Sequence, residues 1–391
     1  MSEEIIYLDN NATTRIAPEV FEAMKPYLTA EYANPSSVYP FAGPAAAAIV
    51  KARGQMGALL GCDPSEVIFT SCGSESDNAA LRSAIETQSG RRRILTTAVE
   101  HPAILNTCKD LVEHAGIHVD YLSVDSKGRI DLDEAKALIT EDTAIVSVMF
   151  ANNEIGNIYP IAEMAALAHA KGALFHTDAV QAIGKVPINL HGALKDVDFL
   201  SLSGHKFHAP KGIGVLYRRR FAPFTPYLTG GHQESMQRAG TENVASIAGL
   251  GAAAELAQAH IAEENTRVKA MRDRLQAGLL ANCPDAMVNG DCDHRLPNTA
   301  NIGFKYIEGE AILLRLWSAA KICASSGSAC TTGSLEPSHV LRALGLDYKA
   351  LHGSIRLSLS RYNTEAEIDR VLEVMPPIIR ELRDLSPFGR N

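Results

Sequence analysis

No two cysteines of this chain are spaced as C-x-x-C, and their total, seven, is odd. A disulfide framework needs pairs and a structural zinc site needs clustered ligands, so neither is expected. Most of the seven read as small buried residues in a reducing compartment; Cys330 is set apart below. Positive charge is also short: the net charge of -8 gives no electrostatic basis for binding nucleic acid or an anionic membrane. The alanine-rich stretches Ala45 to Val50 and Ala252 to Ala259 are short or interrupted, so no membrane-spanning helix is expected. Met1-Ser2-Glu3-Glu4 is acidic and no apolar segment of a secretory signal follows. Internal repeats and low-complexity tracts are missing as well. What is there suits a cytoplasmic globular enzyme. The 391 residues, 46% of them hydrophobic, suffice for two domains, or for one large domain with a small one.

Strand-like and helix-like segments alternate from about residue 65 to 220. Val67-Ile68-Phe69, Ile94 to Thr96, Val119 to Val124, Ala144 to Phe150, Ala173 to His176, Val197 to Leu200 and Ile213 to Tyr217 read as strands. Ser74 to Ile85, Ala103 to His114, Leu132 to Ile139 and Ile161 to Ala170 read as helices. This is the pattern of a mostly parallel sheet covered by helices on both faces. Val244 to Leu280 reads as one long helix leading out of that unit. Beyond it come strands at Thr299 to Phe304 and Ile355 to Ser360. Helices are expected at Gly309 to Ala320, Ser338 to Leu344 and Glu365 to Leu385, the last kinked or broken at Pro376-Pro377. That α+β set suits a smaller second domain, and Ser325 to Ser334 reads as an exposed Gly/Ser/Thr-rich loop.

Open α/β sheets place ligands at the carboxyl ends of their strands, so the polar residues after each predicted strand form a candidate site. Thr70 to Asp77 opens a helix whose first N–H groups suit a phosphate. Ser74 with Asp77 has capping-box spacing, so an ordinary N-cap reads equally well. His101, before Pro102, suits stacking on a planar ring and proton transfer, or a partly buried structural role. Asn152-Asn153 offers amides to a ligand, or makes a turn. Asp178 directly after a buried strand is costly unless paired; a pyridinium nitrogen would pair it while Gln181 reaches the ring hydroxyl, or Asp178 is a helix N-cap. Ser203-Gly204-His205-Lys206 puts a lysine where a buried strand ends, suited to a Schiff base with an aldehyde cofactor, or a surface charge. Each motif alone is ambiguous. All five in successive strand-end positions point to a pyridoxal-phosphate enzyme.

These segments resemble the fold-type I pyridoxal-phosphate enzymes of aminotransferase class V, and more closely the cysteine desulfurases of the NifS/IscS type, along nearly the whole chain. The matching stretches include Tyr7-Leu8-Asp9-Asn10-Asn11-Ala12-Thr13-Thr14, Asn34-Pro35-Ser36-Ser37, His176-Thr177-Asp178-Ala179-Val180-Gln181 and Ala239-Gly240-Thr241-Glu242-Asn243. The most specific is Ser325 to Thr331, which contains Cys330, followed by Leu335-Glu336-Pro337-Ser338-His339-Val340. The wording around Lys206 and the short tail look most like the NifS branch. Three departures stand out: Tyr39 where the family usually has histidine, Ser235-Met236-Gln237 where it often has arginine or glycine, and an early end after Ser386-Pro387-Phe388.

The resemblance implies a large domain (15–260) and a small one (1–14 and 261–391) that carries a mobile catalytic-cysteine loop at about 324–336. It implies that Lys206 anchors pyridoxal phosphate, Asp178 pairs the ring nitrogen, Gln181 the ring oxygen, and His101 stacks and moves protons. Gly73, Ser74, Ser203, Gly204 and His205 would bind phosphate, with Thr241 reaching in from the other subunit of a homodimer. Asn153 would contact both cofactor and substrate, and Arg356 would clamp the substrate carboxylate. The implied reaction turns L-cysteine into L-alanine and leaves sulfur on Cys330 as a persulfide. The destination it implies is a NifU/IscU-type iron–sulfur scaffold in a nitrogenase-related role, with Cys330 transiently touching a nascent cluster. A class V aminotransferase, a selenocysteine lyase and a degenerate assembly platform are the alternatives; the aminotransferase would not need Cys330, and the lyase differs mainly in which chalcogen is accepted.

Overall fold

The computed structural model describes residues 5–326 and 337–387. Among these, thirteen strands form: β1 (Ile6–Tyr7), β2 (Val67–Thr70), β3 (Arg93–Thr97), β4 (His118–Leu122), β5 (Thr143–Ser147), β6 (Leu174–Asp178), β7 (Phe199–Ser203), β8 (Gly214–Arg218), β9 (Ala286–Val288), β10 (Thr299–Phe304), β11 (Ile322–Cys323), β12 (Ser325–Ser326) and β13 (Ser354–Ser358). Seven make the main sheet in the order β2-β8-β7-β6-β5-β3-β4. Every neighbouring pair there is parallel except the two involving β8.

The central strands are buried along their whole length. Their sequences are apolar at consecutive positions because helices cover both faces. The two-residue pleat sorts the pairs. Leu95, Val146, Phe175 and Leu200 enter one apolar cluster, and their neighbours Ile94, Ile145, Leu174 and Phe199 enter the cluster on the opposite face. A third cluster, from Ile6 and Leu8 to Val268, Phe304, Leu357 and Ile379, surrounds the four-stranded antiparallel sheet β12-β13-β10-β9. This is the α/β architecture expected, with a smaller β-rich part beside the main sheet.

The differences from expectation are local. Helices Pro18–Thr29 and Gly43–Leu60 have no counterpart in the sequence reading; both lie against helix Val244–Glu263. The long helix continues through a π turn, Glu264–Val268, into Lys269–Asn282. Its 39 residues are long and apolar enough to cross a membrane, but half of its most apolar window is buried within the fold. The last helix, Glu365–Leu385, runs unbroken through Pro376-Pro377. Val374, Met375, Pro376, Ile378 and Ile379 are buried there, and packing on both sides of the prolines offsets the lost backbone hydrogen bonds.

Candidate active site

The carboxyl ends of the parallel strands open into a cavity of about 380 Å³, whose walls include Gly73, Ser74, His101, Asn153, Asp178, Gln181, Ser203, His205, Lys206 and Arg356. Ten residues spread over 284 positions of sequence are thus brought to one site. Asp178 and Ser203 are themselves the last residues of β6 and β7. Lys206 closes the short turn Gly204–Lys206 that follows β7.

Helix Gly73–Thr87 follows β2, and its N-cap is Cys72, with no side chain capping the first turn. The spacing of Ser74 and Asp77 therefore makes no capping box; the helix begins two residues earlier than that motif requires. The uncapped N–H groups and the helix dipole face the cavity as an anion cradle. A side chain at Gly73 would place Cβ 2.7 Å from Val180 Cγ2, so the close approach of backbone to cavity needs glycine.

His101 is the N-cap of helix Pro102–Ala115, and its Nδ1 accepts the Ala103 N–H at 3.1 Å. The proton of the neutral ring is therefore on Nε2. Burial first, then the positive charge of Lys206 and the ring of His339, hold its pKa down at about 4. The ring is a hydrogen donor at Nε2. It is not poised to take a proton there, which limits the base role expected of it.

Asp178 accepts the Val180 N–H at 2.9 Å. Burial pushes its pKa up to about 6, opposed by that hydrogen bond and by Lys206. Behind it lies a polar chain that the sequence reading missed. His176 Nδ1 meets Ser147 Oγ and His176 Nε2 meets Ser201 Oγ, both at 2.9 Å. Asp77 stands 3.6 Å from the same Nε2 and is held well above the usual carboxylate range by burial, then by the charge of Asp178. Asp77 sits one helical turn beyond Gly73; its place on the inward face was the only signal available.

Lys206 Nζ donates to the carbonyls of Asn11 (2.7 Å) and Ala12 (2.8 Å). Gln181 Nε2 donates to the same Asn11 carbonyl at 3.0 Å, while its buried Oε1 has no partner among the described residues. The segment Asp9 to Ala12 thus forms one wall, and Asp9 and Asn11 are cavity residues the sequence reading left without a role. His205 Nδ1 contacts Thr13 Oγ1 at 3.1 Å, and burial with three nearby lysines holds its pKa at about 4.

Among the described residues, two expected ones are not on the wall. Gly204 is buried behind it, where a Cβ would lie 2.8 Å from Ile213 Cγ2. Thr241 is exposed and does not line the cavity of its own chain. Cys330 lies outside the described residues. The described segments on either side of it reach the site: Ser325 lines the cavity, Ser338 Oγ donates to Glu154 Oε2 at 2.5 Å, and His339 Nε2 donates to the Glu100 carbonyl at 2.8 Å. Among the described residues no group of three or more His, Cys, Asp or Glu is placed to hold a metal ion.

The chain matches the class-V aminotransferase family over residues 6–371. It is 60% identical over 387 residues to a cysteine desulfurase of Nostoc sp., spanning 99% of this chain and 96% of that protein. It is 56% identical over 384 residues to the cysteine desulfurase NifS of Azotobacter vinelandii, spanning 98% and 94%. Among solved structures, a NifS-like protein superposes with a TM-score of 0.90 at 38% identity, covering 97% of this chain and all of that one. SspA in complex with cysteine superposes with a TM-score of 0.80 at 34% identity, covering 92% of this chain and all of that one.

Proposed function

The chain belongs to the class-V aminotransferase family, as one of its cysteine desulfurases, and we propose how its own residues remove sulfur from L-cysteine. The cofactor of this family is pyridoxal phosphate. When bound, it supplies an electron sink that stabilises negative charge at the substrate Cα. The residues present fit it. The uncapped first turn of helix Gly73–Thr87, with Ser203 and His205, offers the phosphate site. The unpartnered Gln181 Oε1 has the place of an acceptor for a ring hydroxyl, and the buried Asp178 carboxylate, its pKa raised by burial, would be stabilised by a protonated ring nitrogen.

Arg356 and Asn153 bind the substrate carboxylate. Lys206 Nζ, held by two carbonyls at the cavity wall, takes the α-proton. Asp178 keeps a proton on the ring nitrogen, and His101 stacks and donates from Nε2. Cys330, as thiolate, attacks the substrate sulfur; the Cβ–S bond breaks, its electron pair stays with carbon, and protonation yields L-alanine. Cys330 retains the sulfur as a persulfide. Since His101 Nε2 already carries a proton, Cys330 loses its own to solvent or to its own segment.

The observation that carries this assignment is the convergence of Lys206, Asp178 and Arg356 on one cavity that Ser325, five residues before Cys330, also lines. The same proposal includes a cytoplasmic homodimer in which Thr241 completes the partner's phosphate site, division of each chain near residues 14 and 260, and delivery of sulfur to an iron–sulfur scaffold for nitrogenase. Mass spectrometry of the Cys330 peptide after incubation with L-cysteine tests the central step. One added sulfur is expected, and Cys330→Ala should abolish sulfide release. Undiminished release from that variant would sink the desulfurase mechanism and leave an aminotransferase-like lyase.

A further inference from the structure

Arg356 stands in the middle of β13, opposite Asn301 on β10 and Ser325 on β12, and is 5% exposed. Its guanidinium has five N–H donors. Two are used: Nη1 donates to the Asn153 carbonyl at 3.0 Å and Nη2 to Asp9 Oδ1 at 2.8 Å. Nε is buried and has no partner among the described residues. The clamp is therefore already half-neutralised by an anion of the protein itself.

Asp9 is no loose surface carboxylate. Its backbone bridges to Ser358, two residues along β13 from Arg356. The Asn10 N–H meets the Ser358 carbonyl at 3.1 Å and the Ser358 N–H meets the Leu8 carbonyl at 2.8 Å. Asp9 and Arg356 are thus fixed to one ladder, and both line the cavity. The charge of Asp9 is felt locally: the Tyr7 phenol is pushed up to about 12, by burial first and Asp9 second, and Asp9 also raises the Cys323 thiol.

A carboxylate arriving at the free N–H groups of Arg356 meets a second carboxylate across the same guanidinium. Two like charges that close, in a partly desolvated site, oppose one another by enough to change affinity on the order of 10-fold or more. We propose that Asp9 is a positioning residue that sets the Arg356 fork and weakens its grip on the α-carboxylate, so that amino acid binds and leaves by sharing the cation with a standing anion. This rests on Arg356 being the substrate's carboxylate partner. Its consequence is that L-alanine, which keeps the carboxylate of L-cysteine, is not trapped after sulfur has left.

The test is equilibrium titration of the holoenzyme with L-alanine, followed by the visible band of the bound cofactor. Asp9→Asn keeps an oxygen acceptor for Nη2 and removes the charge; it should bind L-alanine about 10-fold tighter. Asp9→Ala removes the strut as well and should bind it more weakly. L-alaninamide, which has no carboxylate, should respond less than about twofold to Asp9→Asn, since the like-charge repulsion is missing. Weaker or unchanged binding of L-alanine by Asp9→Asn, or equal tightening for the amide, overturns the proposal. Arg356→Ala is read in the same titration: if it binds L-alanine like the wild type, the clamp itself is wrong, whatever Asp9 does.

Discussion

The ionisation of single residues is where burial speaks most directly. His101 has Nδ1 committed to the first turn of its helix and a pKa held at about 4, so the ring is neutral near neutral pH. His101→Gln should lower kcat by about 100-fold or more if Nε2 donates in the transition state, yet its pH–rate profile between pH 6 and 8 should run parallel to that of the wild type. A lost limb in that window would show that His101 titrates there after all. Glu100 makes the opposite case. Its Oε1 accepts from Thr97 Oγ1 and Met149 N–H, and burial pushes the carboxyl up to about 8. The unfolded chain releases this proton at an ordinary carboxylate pKa, so the group weakens the fold increasingly as pH rises toward about 8. Glu100→Gln keeps the accepting oxygen and removes the charge. Its melting temperature relative to wild type should therefore climb between pH 5 and 8, and a pH-independent difference would contradict the raised pKa.

At the scale of elements, the segment between β8 and the long helix holds strain in view of solvent. Glu234, Ser235 and Met236 have φ of 47, 55 and 64°, three consecutive residues in the left-handed region. The conformation is held from below. Glu234 forks onto Arg53 with both contacts at 2.7 Å and accepts the Phe69 N–H of edge strand β2 at 3.0 Å. Arg238 pairs with Glu75 at 2.8 Å on helix Gly73–Thr87. Met236 is exposed and touches no core, so Met236→Gly should relieve left-handed strain and raise stability by about 1 kcal/mol. Glu234→Ala leaves Arg53 without its buried partner and should cost about 3 kcal/mol. Both are read by chemical denaturation. Ser235 and Met236, two of the three residues at which the chain departs from the family pattern, thus stand in the left-handed region, while the pairs that anchor the segment are present.

For the whole molecule, the same segment ends at Thr241, which is exposed and does not line its own chain's cavity. Large apolar side chains are exposed nearby in sequence, among them Phe221, Tyr227 and Leu228, and others at Phe21, Leu28, Tyr32 and Phe41. The proposed homodimer would cover those that adjoin its interface. Light scattering should give twice 42.0 kDa. In mixed dimers of Lys206→Ala and Thr241→Val chains, the sites that keep Lys206 should bind cofactor with wild-type affinity, because the Lys206→Ala partner supplies an intact Thr241. Reduced affinity there would place Thr241 within its own subunit's site.

The alternation of strands and helices, the strand-end lysine and aspartate, and the chemistry they imply were legible in the chain, because a buried parallel strand needs a continuous apolar run and a polar residue directly after it stands out. Cys330 and its context were legible there as well. What the sequence did not carry were consequences of contact at a distance. The Asp9–Arg356 pair joins residues 347 apart, and the unbroken helix through Pro376-Pro377 exists because packing outweighs local propensity. The tautomer of His101 depends on one backbone N–H, and the His176–Ser201–Asp77 chain behind Asp178 on three separate elements. Residue types state which chemistry is possible. Distance and burial decide which proton sits where and which charge a carboxylate meets, since electrostatic energy depends on separation and solvent access, and neither is written along a chain.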